Sequence, residues 1–475
     1  MTTHRIIKNL FLMTSAQMIG AILHMASFIY LARTLGPENF GKLNFSEAIL
    51  VYFLILSNLG LDMLGTRHLA REKDGAARKS LVERIVTLKV FLGLFAFIFF
   101  LAFIWLVNKP EQIKMLLLFY GFSIFPSAFF MDWAFQGVEK MSYNAVAVIL
   151  REAVFLGAVV VMIDGPHMLA VVPVIFIFAR IAPAMYFMWA FKRHFGRFSL
   201  KFDFASWIGL AKESLILGYS ILVIPIFYNL DIIMLGFMKT DKEVGYYNAA
   251  YKPILFFVIL VSTYYTVIFP RAVYCYREAK DELERLLSYS VKLMFFFILP
   301  VSIGGTMLAK PLINMFYGQA YNDGVTAFQI LLWSLFVISI GTIYGRGLVA
   351  CDREKLFAVG LTVGAVSNLA FNLALIPPYG PTGAAAATVM SEIINLYIYH
   401  WGLRKVIKVS FGKEILKSLV ASFVMAVFIG VGLVVGWNVI SIIIGAGLLY
   451  IAVLYAIKGI TMDEIRMVRE GILRG

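Results

Sequence analysis

Charge is what this chain has least of. Of its 475 residues, 15% are Asp, Glu, Lys or Arg and 61% are hydrophobic, and the mean hydropathy is +0.84. A water-soluble domain is about a quarter charged and near half apolar, so this composition excludes an ordinary soluble globule. Cysteine is scarce too. Cys275 and Cys351 lie far apart and make no disulfide framework. The sequence has no GxxxxGK[ST] loop, which argues against a built-in ATP motor. It has no HExxH and no Cys–His cluster with metal spacing. The Gly-Arg-Gly at 345–347 is too short to cradle phosphate. Long polar loops are missing as well. The longest link, Lys192 to Lys212, is about 20 residues and leaves no room for a soluble domain or for an acid/base pair suited to sugar transfer. These absences favour a transporter over an enzyme, with no cofactor and no metal.

What the chain has in plenty is apolar runs of spanning length. About 14 can be marked, near 9–32, 43–66, 85–107, 112–134, 143–163, 168–191, 213–237, 245–269, 288–308, 325–349, 355–376, 380–401, 415–436 and 438–457. The first run is long enough for a ~30 Å hydrocarbon core, longer than a signal peptide, and without a small-residue cleavage site; it reads as a retained helix.

The cations fall on alternate sides. With the N-terminal side taken as inner, roughly 33 of the 42 Lys and Arg lie on inner segments, among them Arg78, Arg193, Arg285 and Arg404, with Lys413, Arg466, Arg469 and Arg474 near the C-terminus. The outer segments hold about eight: Arg33, Lys42, Lys109, Lys114, Lys239, Lys242, Lys252 and Lys310. That asymmetry predicts both ends in the cytoplasm and an even helix count. It accounts for the net charge of +14 as topology, with no nucleic acid involved. Both cysteines then fall on the reducing side.

An internal repeat is legible. Phe40-Gly41-Lys42-Leu43-Asn44 lines up with Val244-Gly245-Tyr246-Tyr247-Asn248, and Asp164-Gly165-Pro166 with Tyr379-Gly380-Pro381. Each match occupies the same place in a six-helix set, so the halves form a parallel repeat about an axis along the membrane normal. The expected architecture is all-α and membrane-embedded: a six-helix bundle over 1–201, a second over 202–408, and an appended helix pair with a tail over 409–475. Such a chain is large enough to work as a monomer.

An ionisable group at bilayer depth is costly unless it meets a partner or a wet cavity. Glu47, Lys252, Arg180, Glu392, Asp231 and His24 lie within apolar runs, and Arg346 near an inner edge. Cations among them suit a phosphate or diphosphate, since guanidinium can make bidentate contacts. The carboxylates Glu47, Asp231 and Glu392, with His24, are candidates for coupling to H+ or Na+; each could equally serve in helix packing. Asp62, Asp132, Arg151 and Glu152 lie nearer the inner interface, where charged groups reach water. Glycine spacings at Gly360/Gly364 and Gly432/Gly436 predict close helix packing.

The stretches "LARTLGPENFGKLN" (31–44) and "VGYYNAAYK" (244–252), with "FPR" at 269–271, resemble the O-antigen (Wzx-type) polysaccharide flippases of the multidrug/oligosaccharidyl-lipid/polysaccharide exporter superfamily. The resemblance runs over roughly the first 400 residues in order. It implies two six-helix bundles, a cationic cavity, and alternating access in the cytoplasmic membrane. The implied cargo is an undecaprenyl-diphosphate-linked oligosaccharide moved to the outer leaflet, alongside other polysaccharide-assembly proteins. Lys252 is similar to that family's lysine in its "AAYK" stretch, and Arg33 to its arginine before the Gly-Pro turn. Two other readings stay open. An efflux pump of the same superfamily for cationic solutes would want a net acidic cavity. A membrane glycan polymerase or glycosyltransferase would want catalytic residues on a sizeable outer loop.

Overall fold

A computed structural model of the chain describes residues 3–409, 412 and 414–459; Lys413, Arg466, Arg469 and Arg474 lie outside the described residues. Among the described residues every regular element is helical. The helices are α1 (Thr3–Asn58), α2 (Leu61–Arg71), α3 (Gly75–Leu106), α4 (Glu111–Gly121), α5 (Ile124–Ala128), α6 (Asp132–Gly137), α7 (Met141–Met162), α8 (Val171–Phe195) and α9 (Phe204–Met238). They continue with α10 (Asp241–Glu278), α11 (Lys280–Met307), α12 (Ala309–Tyr317), α13 (Val325–Ala350), α14 (Glu354–Leu403), α15 (Glu414–Val435) and α16 (Val439–Ala456). The chain divides into two compact units, Met1–Gly245 and Tyr246–Gly475. The expected division after residue 201 falls in the link between α8 and α9. Because α9 packs on α1 and α2, it belongs to the first unit.

Among the described residues, eleven helical stretches are long and apolar enough to cross a membrane. Two of them, Leu12–Arg71 with 60 residues and Glu354–Leu403 with 50, are far too long for one pass at 1.5 Å per residue. Each reverses at a glycine. In α1 the break is Gly36, at φ 75° and ψ 169°, with Pro37 opening the return arm. A positive φ suits glycine, and proline at the first helical position lacks only an N–H that would have no partner anyway. Phe28 and Phe40, twelve residues apart, then meet with ring centroids at 5.9 Å, which a straight helix forbids. In α14 the break is Gly380 at φ 54°, followed by Pro381. Its arms pair so closely that a Cβ on Gly364 would overlap Asn395, and one on Gly360 would overlap Tyr399. That is the close packing expected of this glycine pair. With both reversals and the apolar part of α9, the helices supply the fourteen passes expected.

The two copies of the repeated turn are built by different chemistry. The first uses Gly36-Pro37. The second opens α10 with a capping box: the Thr240 N–H and hydroxyl donate to Glu243 Oε2 at 3.0 and 2.8 Å, and the Glu243 N–H donates back to Thr240 Oγ1 at 3.3 Å. The aligned glycines touch. A Cβ on Gly41 would overlap the Asp241 carbonyl, and one on Gly245 would overlap the Pro37 carbonyl. The other aligned pair differs more: Gly165 is extended (φ −171°), whereas Gly380 has positive φ.

At the opposite end of the first unit, Trp133, Phe135, Phe187 and Phe191 form an apolar core. Glu83, fully buried beside it, accepts from the Ser199 N–H and Oγ, each at 3.0 Å, and pairs with Lys201 at 3.2 Å. This ties the α8–α9 link to α3. In the second unit, α15 and α16 dock on α11. Pro300 cannot donate to the carbonyl four residues back, and that carbonyl, Phe296 O, accepts instead from the Tyr450 hydroxyl at 2.8 Å. Ser418 Oγ donates to the neighbouring Phe295 carbonyl at 2.9 Å. Both cysteines are free and buried.

Candidate functional site

A cavity of about 190 Å³ lies inside the first unit, bounded by both arms of α1 and by α4, α7 and α8. The reversal at Gly36 decides its make-up. It brings His24 of the first arm and Glu47 of the second to one space, together with Tyr120, Arg151, Glu152 and Arg180. Phe28, Phe155 and Phe176 supply apolar wall.

Glu152 is the anchor on one side. Its side chain is only 7% exposed, and it needs partners to hold charge there. Oε1 accepts from Arg151 Nη2 at 2.7 Å and Nε at 2.8 Å, while Oε2 faces His24 Nδ1 at 3.1 Å. The His24 ring rests on Phe28, centroids 4.6 Å apart. Across the cavity, Arg180 is held by other means. Its guanidinium lies over the Phe176 ring at 4.5 Å, and Nη1 donates to Ser127 Oγ at 2.9 Å. Ser127 sits on α5, a short turn that carries Pro126 between α4 and α6. Its hydroxyl proton goes to the Ser123 carbonyl at 2.7 Å, so it presents lone pairs to the guanidinium. Among the described residues the buried Nε of Arg180 has no hydrogen-bond partner. Glu47 lines the same space, and no ion pair joins it to Arg180 among the described residues.

Two arginines and two glutamates thus share one cavity, with His24 setting the balance. One glutamate is held by three contacts, and one guanidinium retains donor capacity. Such a site can receive an anionic oxygen at Arg180, or a cation at Glu47, without first breaking the Arg151–Glu152–His24 cluster.

Three of the residues singled out from sequence therefore meet here: Arg180, Glu47 and His24. The others lie elsewhere. Asp231 is buried on α9, 3% exposed. Arg33 is exposed near the end of the first arm of α1. In the second unit, Lys252 is half-buried on α10 beside buried Tyr251, Arg346 is exposed on α13, and Glu392 is buried on the second arm of α14, where Asn395 Nδ2 donates to it at 3.3 Å. Lys252 does not line the first-unit cavity, so the structure does not gather the two deepest cations there.

One expectation is corrected. Arg151 and Glu152, read as interfacial groups in contact with water, are part of the cavity, and Glu152 is buried. The partner that makes this tolerable, His24, is 128 residues away in sequence. The available signal was an adjacent Arg-Glu pair inside an apolar run. Asp62 does play a packing part. Lys89, 5% exposed, donates to it at 2.8 Å and to the Phe130 carbonyl at 3.3 Å, and Asn58 donates to its other oxygen at 2.7 Å.

Comparison with known proteins adds family and fold. A family profile described as polysaccharide biosynthesis protein matches residues 6–275. A protein of Escherichia coli K12 named "Putative O-antigen transporter" is 24% identical over 413 residues, which are 82% of this chain and 94% of that one. The solved structure of the lipid II flippase MurJ in an inward closed conformation superposes with a TM-score of 0.76 at 16% identity, covering 94% of this chain and 97% of the other. An inward-facing multidrug resistance MATE transporter superposes with a TM-score of 0.67 at 13% identity, covering 82% and 94%. At these identities the two solved structures establish the fold alone.

Proposed function

The chain belongs to the polysaccharide biosynthesis protein family, and from that premise we propose that it is a multi-pass flippase that carries a lipid-linked oligosaccharide across the membrane. The relative named as an O-antigen transporter supports this cargo class, and its match spans nearly its whole length. The observation that carries the reading at the level of chemistry is Arg180. It is a guanidinium at membrane depth, fixed by Phe176 and Ser127, and it lines the cavity. A phosphate oxygen is the natural acceptor for it. On this reading the cargo is diphosphate-linked, the polyprenyl tail stays in lipid, and the head group crosses as the helices change arrangement. Lys252, Arg33 and Arg346 would contact it at other stages.

The carboxylates supply the return half of the cycle. Glu47, with His24 and Glu152 beside it, would take up H+ or Na+ when the anionic cargo leaves. Asp231 and Glu392 are further coupling candidates. The charge asymmetry of the sequence supports placement in the cytoplasmic membrane with both ends in the cytoplasm. One chain suffices as the working unit. The rival reading, export of cationic drugs, asks for a net acidic site, and two arginines in the cavity oppose it.

The test is direct. The purified protein is reconstituted into vesicles holding a fluorescent lipid-linked oligosaccharide, and probe reaching the opposite leaflet is bleached by an impermeant reductant. Protein-dependent loss of the protected pool is expected. Loss equal to that of empty vesicles, with export of cationic dyes by the same preparation, would overturn the proposal.

A further inference from the structure

Not every polar group in the cavity around Arg180 is taken up. Glu152 is occupied by Arg151 and His24. Glu47, on the second arm of α1, and Tyr120, on α4, line the same space. Tyr120 is 3% exposed, and its ring meets Phe176 edge-on at 5.0 Å, which fixes the side chain. Among the described residues neither its hydroxyl nor the Glu47 carboxylate makes a hydrogen bond, and neither is sealed away from the cavity. The two lie within electrostatic reach of each other and of the Arg180 guanidinium. Polar groups left unpaired at this depth are costly, and a ligand that pairs them is bound the more tightly for it.

The chemistry of the two groups narrows that ligand. An ionised carboxylate accepts from O–H donors through two adjacent oxygens, and a phenol both donates and accepts. Together they suit neighbouring hydroxyl groups. Phe155, edge to face with Phe176 at 6.1 Å, adds an apolar wall against which the C–H face of a sugar ring can rest. Volume narrows the ligand further. The space is about 190 Å³, and a cavity of roughly 150 Å³ takes one benzene ring. One six-membered ring fits, and two do not. A bare cation asks instead for several oxygens closed around it. Here the carboxylate and the phenol flank a ring-sized space, and Asn44 Oδ1, on the same arm of α1 as Glu47, is buried.

We propose that Glu47 and Tyr120 read the hydroxyl groups of a single sugar ring, the one joined to the phosphate that Arg180 holds. The inference rests on the flippase reading and narrows it: this cavity reads the ring next to the diphosphate and none of the sugars beyond it. Once that ring has left, the same carboxylate is open to a coupling cation.

The test measures binding of short-chain probes to the full-length protein in detergent by isothermal titration calorimetry. The probes are farnesyl diphosphate alone and farnesyl diphosphates carrying one glucose, galactose or N-acetylglucosamine. The readout is the ratio of affinity for a sugar-bearing probe to affinity for the bare one. Wild type should reach a ratio of about fifty for at least one sugar. Tyr120→Phe, which keeps the ring contact with Phe176, should cut that ratio about fivefold, and Glu47→Gln about tenfold. Arg180→Gln should weaken binding of every probe. Size-exclusion profiles separate loss of binding from loss of fold, and either of the first two variants decides the matter if the other misfolds. A ratio that stays at the wild-type value in Tyr120→Phe and Glu47→Gln would overturn the proposal. So would equal binding of all four probes by wild type, and a loss in Arg180→Gln would then still uphold the flippase reading. Failure of every probe to bind wild type would overturn that reading and this inference with it.

Discussion

At the scale of single residues, exposure decides which half of an ion pair matters. Lys89 is 5% exposed and Asp62 is 33% exposed. Removing the acid leaves the buried ammonium with the Phe130 carbonyl and the more distant charge of Asp132 alone; removing the lysine leaves a carboxylate that reaches water. Asp62→Asn is therefore expected to cost about 3 kcal/mol, near the lower end for a broken buried pair. Lys89→Met should cost about 1 kcal/mol. Thermal unfolding of the detergent-purified variants gives the order, and an equal or reversed order would show that the pair is not held as described. The contrast with Arg180 is instructive. Sequence reading singled out Arg180 because it stood alone in an apolar run, and solitude is visible in a one-dimensional string. It passed over Arg151 and Glu152, because a charge that finds its partner 128 residues away looks, in sequence, like any charge near an interface.

At the scale of elements, the reversals carry the fold. Gly36-Pro37 and Gly380-Pro381 sit between apolar runs, and that pattern is legible: a residue free to adopt positive φ, then one that starts a helix. The close approach behind the first turn follows from the repeat. Gly41→Ala places a methyl group on the Asp241 carbonyl, a backbone atom that cannot rotate away, and should abolish a monodisperse product in size-exclusion chromatography. Gly157→Ala, in α7 with open space around it, should leave the profile unchanged. Similar behaviour of both variants would mean that the two turns do not touch. Other element-level features had no signature in sequence. The run near 112–134 reads as one helix, yet it breaks into α4, α5 and α6, and that break sets Ser127 under Arg180. The docking of α16 on α11 depends on a carbonyl released by Pro300 and a hydroxyl at Tyr450, which only coordinates bring together.

At the scale of the whole molecule, composition fixes the solvent, hydropathy the number of passes, and charge asymmetry the expected orientation; the family match and the fold likeness agree with the first two. Function depends on fewer atoms. On the proposed reading it rests on buried positive charge able to take a phosphorylated head group from water into the span. The measurement that tests this most directly is vesicle transport of the lipid-linked oligosaccharide by wild type, Arg180→Ala and Lys252→Ala, each checked for equal insertion. The expected result is a fall in transport of at least about a hundredfold for Arg180→Ala, as for loss of a buried charge-assisted contact, with Lys252→Ala also strongly impaired. Wild-type rates in both variants would contradict the account.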